Sequence, residues 1–180
     1  RENLSFIEVV KTLCANTEFL LLMLSSTGFY YVVAGIQYWC PNYLELIMEV
    51  NVTEATIYFS MTTFCAPTSG VIVGGIVTSA YGGYNTKKAQ ILQVIVGVCS
   101  VICCLPIPFM DDFYHIGMLV WGLLFFGGFI LPPVTGMMIA SVDEKLRTTA
   151  NSVANLVYNL CGYLPGPFVY GLVSNLTGGD

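Results

Sequence analysis

The chain has 180 residues, of which 56% are hydrophobic and 9% are charged, and its mean hydropathy is +0.74. Soluble domains average about 25% charged residues, so this composition excludes a soluble globular domain. The formal net charge is −5, and the whole chain has only 6 Lys and Arg residues, which excludes a basic nucleic-acid-binding surface. We therefore predict an all-α membrane protein that crosses the bilayer several times.

Residues 4–16 are predicted to form a short amphipathic helix at the membrane interface. Ser5 and Glu8 have the spacing of a capping box, and Ile7, Val10 and Cys14 fall on one helical face. A helix with one apolar face, placed just before a membrane span, is typical of an interfacial position. A frayed linker is the alternative.

Residues 19–44 form the first predicted span. They contain no Lys, Arg, Asp, Glu or His, and they exceed the ~20 residues that cross a hydrocarbon core. Ser26, Tyr30 and Gln37 recur on one face of this span, and such a polar stripe usually faces protein or a water-filled cavity. We predict that they line a substrate cavity; hydrogen bonds to neighbouring helices are the alternative.

Four further spans are predicted at about 55–79, 89–109, 116–142 and 148–176. The span at 89–109 has the fewest polar features, so we place it at the lipid-facing periphery. The last two spans supply the remaining cavity candidates, which are Trp121, Asn151, Asn155 and Tyr158.

Prolines interrupt three of these spans, at Pro67, Pro132, Pro133, Pro165 and Pro167. A proline removes one backbone donor from a helix, so bending is already partly accommodated at these positions. We predict that they act as hinges.

The cations of the chain fall on one side of the membrane when the five predicted spans are threaded: Arg1, Lys11, Lys87, Lys88, Lys145 and Arg147. The positive-inside rule makes that side cytoplasmic. Glu49, Asp112 and Asp180 are then expected on the opposite side.

The predicted spans contain no pairing of a nucleophile with a base and no spacing of metal ligands. Most cysteines lie inside apolar runs, where a thiol is a small apolar side chain. We therefore expect no catalytic residue, no metal and no cofactor.

Several loose motifs follow one another along the chain. Residues 5–16 read S-x-x-E-x-x-K-x-L-x-x-N, residues 35–44 read G-x-x-x-W-x-P-x-[FY]-L, and residues 64–70 read F-x-x-x-T-x-G. Residues 147–152 read R-x-T-A-N-S, and residues 162–167 read G-x-x-P-x-P. In this order they resemble the second half of a spinster-like member of the major facilitator superfamily.

The stretch from Gly74 to Lys88 is similar to the superfamily's cytoplasmic loop motif, G-x-x-x-D-R-x-G-R-[RK]. Ser79 and Ala80 stand where the motif has Asp-Arg, so the charged contacts of that pair cannot form here. The motif positions that remain are Gly75, Gly82, Gly83, Lys87 and Lys88.

The resemblance implies a C-terminal bundle of five membrane helices that, with a missing N-terminal half, makes a secondary transporter working by alternating access. It also implies an organic, amphiphilic or lipid-like solute. The predicted spans retain no charged side chain, which suits neutral hydrogen bonding and aromatic contact. The alternative is a non-transporting structural subunit of a larger membrane complex, which the loss of Asp-Arg and the odd number of spans would favour. Either protein would lie in the plasma membrane or an internal membrane.

Overall fold

The computed structural model describes residues 6–46 and 51–176. Within these ranges the regular secondary structure is helical throughout. The predictions made for Arg1, Ser5, Glu49 and Asp180 concern residues outside the described ranges.

Seven α-helices follow one another in the described chain: α1 (Phe6–Ala15), α2 (Thr17–Leu46), α3 (Val52–Ala80), α4 (Lys87–Cys104), α5 (Phe113–Ala140), α6 (Arg147–Val157) and α7 (Pro165–Leu176). Short 3₁₀ turns occupy Ile107–Phe109 and Glu144–Leu146, and a π-helix occupies Tyr158–Tyr163 between α6 and α7.

Four segments of the described chain are long and apolar enough to cross a membrane: Thr17–Glu45, Val52–Ala80, Lys87–Phe109 and Phe113–Ala140. They coincide with the first four predicted spans to within a few residues. The fifth predicted span, 148–176, is divided among α6, the π-helix and α7, so a single uninterrupted helix does not form there. Five spanning segments therefore stay a prediction.

The chain divides into two compact units. The first combines Arg1–Ala34 with Val134–Asp180, and the second is Gly35–Pro133. Helices α2 and α5 each contribute one part to each unit, because the boundaries fall inside them.

The first unit is built on a core shared by α1, α2, α5 and α6. Its buried members are Val9, Leu13, Phe19, Met23, Met138, Val142, Ala150, Ala154 and Tyr158. The face of α1 that enters this core is formed by Val9 and Leu13, whereas Ile7 of the predicted apolar face is exposed. Helix α1 therefore has a protein-facing apolar face in addition to the face predicted for the membrane interface.

Asn16 joins two distant parts of the first unit. Its side-chain oxygen accepts a hydrogen bond of 3.1 Å from the Phe19 N–H at the start of α2. Its Nδ2 donates a hydrogen bond of 2.7 Å to the backbone oxygen of Ser141, just after α5. One amide side chain thus caps α2 and holds it to the end of α5.

The second unit is organised by close contact between α3 and α5. A Cβ atom added at Gly70 would lie 2.9 Å from the Phe129 nitrogen, and one added at Gly128 would lie 2.8 Å from the Pro67 Cα. Only glycine lets two helix backbones approach this closely, which is the use of small-xxx-small spacing in membrane helices. Both helices stay α-helical across their prolines.

The segment containing α4 is the least buried of the four membrane-length segments. Only 11% of the residues in its most apolar stretch are buried. Its exposed side chains include Ile91, Val94, Ile95 and Ile102. This is the kind of surface that a peripheral, lipid-facing helix presents.

Candidate substrate site

The first unit brings together four of the predicted cavity residues, from α2, α6 and the start of the π-helix. The Tyr30 and Tyr158 rings stack with centroids 4.5 Å apart and planes 8° from parallel. Tyr158 is buried, and its hydroxyl donates a hydrogen bond to Oδ1 of Asn155. Asn155 in turn donates from Nδ2 to the backbone oxygen of Asn151 at 2.8 Å and to its Oδ1 at 3.3 Å.

We call Tyr30, Asn151, Asn155 and Tyr158 the polar cluster. Its members are two phenol rings and two carboxamides, so it offers hydrogen bonds and aromatic surface without formal charge. The same i, i+4 pattern continues at Asn159, whose Nδ2 donates to the Asn155 backbone oxygen at 2.8 Å. The asparagine amides therefore bond within their own helical run rather than to a neighbouring helix.

Ser26 is buried on α2 but stands outside the polar cluster. Its hydroxyl donates a hydrogen bond of 3.0 Å to the backbone oxygen of Leu22, one turn earlier. Thr27 makes the equivalent bond to Met23 at 2.8 Å. Such back-bonding satisfies a hydroxyl inside an apolar helix.

The π-helix Tyr158–Tyr163 lies directly after the polar cluster. Its wide turn is closed by a hydrogen bond of 2.9 Å from the Leu164 N–H to the Asn159 oxygen, five residues back. Pro165 follows. It has no N–H, so it cannot donate the α-helical hydrogen bond to the backbone oxygen four residues earlier. Pro165 begins α7, a position where a missing donor costs least.

The other two cavity candidates belong to the second unit. Trp121 of α5 stacks on Phe125 with centroids 5.3 Å apart and an interplanar angle of 8°. Gln37 of α2 is exposed. The polar cluster of the first unit thus contains four of the predicted cavity residues. Gln37 and Trp121 are not part of it.

The residues of the loop motif are divided between two helices and a turn. Gly75 lies within α3, Lys87 and Lys88 are the exposed first residues of α4, and the turn between the helices contains Gly82 and Gly83. These two glycines have φ values of +98° and +85°, which side-chain-bearing residues rarely adopt.

Thr86 closes the same turn. Its hydroxyl accepts a hydrogen bond from the Ala89 N–H at 3.3 Å and donates to the Gly83 oxygen at 3.0 Å. The turn is therefore held by local caps, without the charged pair that Ser79 and Ala80 replace.

Residues 1–167 match the Major Facilitator Superfamily. The chain belongs to this superfamily. Comparison with curated proteins and with solved structures gave no match. Members of the Major Facilitator Superfamily are secondary transporters and not enzymes, and with its membrane-length apolar helices this chain is an integral, multi-pass membrane protein.

The proline positions of this superfamily member are of two kinds. Pro67, Pro132 and Pro133 lie inside continuous α-helices, and Pro133 is among the most deeply buried side chains. Pro165 and Pro167 lie at the start of α7, directly after the π-helix. Among these five predicted hinge prolines, the helix departs from α-geometry only next to Pro165 and Pro167. Elsewhere in the described chain, Pro108 lies within the 3₁₀ turn Ile107–Phe109.

Two buried polar residues of the second unit were not among the predicted site residues. Gln93 of α4 is 8% exposed and Thr78 of α3 is fully buried, and their side-chain polar atoms have no hydrogen-bond partner among the described residues. A glutamine in an otherwise apolar span was the available signal for Gln93. The described part of the chain holds no group of three metal-binding side chains, and its cysteines are free thiols.

Proposed function

We propose that this chain is the C-terminal bundle of a spinster-like transporter that moves a small organic, amphiphilic or lipid-like solute by alternating access. The observation that carries this proposal is the uncharged polar cluster of Tyr30, Asn151, Asn155 and Tyr158. The amphiphilic character of the solute follows from the resemblance to the spinster-like family.

The chemistry of the polar cluster favours a neutral group on the solute. A charged side chain near the centre of a membrane helix costs about 2.5–3.5 kcal/mol, so it is retained only for a purpose. The segments 19–44 and 148–176, which supply the cluster, contain none. A carboxylate or ammonium group on the solute would find no counter-charge in the polar cluster, whereas a hydroxyl or amide would find acceptors and donors.

The partners in this proposal are the lipid bilayer and an N-terminal half that completes the site. In such transporters two bundles enclose a midplane site and rock about it. The match to a family of transporters does not favour the alternative of a non-transporting subunit.

The test is uptake into proteoliposomes containing the full-length transporter, with a labelled panel of neutral amphiphiles and a size-matched panel of charged polar solutes. Tyr158→Phe keeps the ring that stacks on Tyr30 and removes the hydroxyl that reaches Asn155. In this proposal the Tyr158 hydroxyl donates to the solute when the solute binds. Loss of one neutral hydrogen bond to the solute costs about 0.5–1.5 kcal/mol, so apparent affinity for an amphiphile should fall roughly two- to thirteen-fold.

Ser152→Ala is the matched control. Ser152 lies on α6, the helix just before Tyr158, is exposed, and donates a hydrogen bond of 3.1 Å to the Thr148 oxygen one turn earlier. Uptake by this variant should be unchanged. Uptake of the charged panel alone, or equal uptake by Tyr158→Phe and the parent, would contradict the proposal.

A further inference from the structure

We call α6, the π-helix and α7 together the fifth helical run. Its buried residues recur at every fourth position: Ala150, Ala154, Tyr158, Gly162 and Gly166. An α-helix has about 3.6 residues per turn, so a four-residue repeat rotates by about 40° at each step. Over the four steps of this series the rotation would reach about 160°, which is nearly the opposite side of a straight helix. A regular α-helix could not keep all five positions buried on one side.

The π-helix Tyr158–Tyr163 lies in the middle of this series. A π-turn contains one more residue than an α-turn, and one residue corresponds to about 100° of rotation, so the insertion reduces the accumulated rotation from about 160° to about 60°. Tyr158 and Gly162 are the two buried residues of the π-helix itself. The wide turn therefore keeps the buried series on one side.

Gly162 is held directly against α2. A Cβ atom added there would overlap the Thr27 backbone oxygen and would lie 3.3 Å from the Cβ of Tyr30. Four residues earlier, Tyr158 stacks on Tyr30. On the other side of the π-helix, Tyr31 and Tyr170 stack with ring centroids 5.7 Å apart. This close backbone approach to α2 thus lies between two tyrosine pairs.

We propose that the π-helix is a one-residue insertion that places Gly162 against Thr27, and that Gly162 is a positioning residue for the polar cluster. Gly162 touches no solute in this proposal. It sets the separation between α2 and the fifth helical run, and that separation lets Tyr30 stack on Tyr158. The effect on transport rests on the function proposed above; the effect on helix separation does not.

The sequence around the wide turn supplies what such an insertion needs. Pro165 and Pro167 lack the N–H groups that a regular helix would donate to carbonyls four residues earlier. Asn155 and Asn159 donate side-chain hydrogen bonds of 2.8 Å to the backbone oxygens of Asn151 and Asn155. These amides add side-chain hydrogen bonds to the backbone of α6, the helix that leads into the wide turn.

The first test compares Gly162→Ala with Gly28→Ala. Gly28 lies on α2, and a Cβ atom added there would have nothing within 4 Å. The readout is thiol cross-linking between Tyr31→Cys and Tyr170→Cys in a full-length transporter whose native cysteines are replaced. Gly162→Ala should lower the yield with a short cross-linker several-fold and preserve it with a longer one, whereas Gly28→Ala should change neither. Equal short-reagent yields in the two variants would overturn the positioning role.

Uptake of the amphiphile panel is measured on the same variants. Reduced uptake together with reduced short-range cross-linking supports the positioning of the polar cluster. Reduced cross-linking with no uptake in the parent protein leaves Gly162 as the spacer between helices and refutes the transport function instead.

The second test removes the insertion and applies even if Gly162→Ala fails to fold. Leu160 is 57% exposed in the π-helix, and Met118 is 72% exposed in the regular helix α5. Deleting Leu160 should convert the wide turn into an α-turn, and the residues after it should keep the same faces of the helix. The folded yield should therefore stay near that of the parent. Deleting Met118 should rotate the rest of α5 by about 100° and abolish the folded yield. Loss of folded protein on deleting Leu160 would show that the π-helix is not a register-keeping insertion.

Discussion

The contact between α3 and α5 allows a sharp test, because neighbouring glycines on α3 have opposite surroundings. A Cβ atom at Gly74 would lie 2.8 Å from the Cα and 2.9 Å from the carbonyl carbon of Phe129. A Cβ atom at Gly75 would have nothing within 4 Å. Gly74→Ala and Gly75→Ala therefore introduce the same methyl group one residue apart, at a packed and an open position.

The expected magnitudes follow from that geometry. The neighbours of Gly74 are backbone atoms that cannot rotate away, so α3 and α5 must separate. A gap of about 0.5–1 Å forfeits a quarter to a half of the dispersion energy of each contact. Overpacking of this kind typically costs about 1–3 kcal/mol. The gain from replacing glycine in a helix, about 0.5–1 kcal/mol, is common to both variants and cancels in their difference.

The assay is equilibrium unfolding in mixed detergent micelles, supported by the fraction of monodisperse protein that survives heating. Gly75→Ala should be as stable as the parent or more stable, and Gly74→Ala should be less stable than Gly75→Ala by about 1–3 kcal/mol. Equal stabilities would refute the close backbone contact, as would a less stable Gly75→Ala.

Three further predictions concern the connections between helices. Membrane-impermeant thiol labelling of intact cells should reach Asp112→Cys and not Lys87→Cys; labelling of both from one side would disprove the predicted topology. Hydrogen bonds from the His115 side chain and N–H hold the pKa of Asp112 below its ordinary value. These hydrogen bonds stabilise the folded protein above the ordinary carboxyl pKa of about 4, and the stabilisation is lost as pH falls through the lowered pKa of Asp112. Tm of Asp112→Asn should therefore fall less than Tm of the parent protein when the pH is lowered through this range. Gly82→Ala places a side chain at a φ of +98° and should cost about 1–2 kcal/mol, whereas Gly97→Ala, with nothing within 4 Å, should not.

The long helices were predictable because their determinants are local. A backbone in hydrocarbon must satisfy its own hydrogen bonds, so the apolar run 19–44 could only be a helix, and α2 contains it. The shared face of Asn151, Asn155 and Tyr158 was predictable from spacing alone. In the structure these residues are linked by hydrogen bonds and Tyr158 stacks on Tyr30, and their role in binding stays a prediction.

Features that depend on contact with other segments were not predictable in the same way. The burial of Val9 and Leu13 depends on α6 and the end of α5, far along the chain. The close approach of Gly162 to Thr27 involves α2, more than 130 residues earlier in the chain, and the two prolines alone predict only a break. The span at 89–109 was placed at the lipid-facing periphery, and only the packing of the second unit shows that Gln93 within it is buried.

The bond from Asn16 to Ser141 has a consequence for how the chain is made, because the two residues are 125 positions apart. At a synthesis rate of about 5–20 residues per second, Asn16 has existed for roughly 6–25 s before Ser141 is added. The residues of the second unit are all contributed by Gly35–Pro133 and complete their set earlier. Val9 and Leu13 therefore wait for Met138, Val142, Ala150 and Ala154 to be synthesised, and until then lipid or the insertion machinery must cover this face of α1.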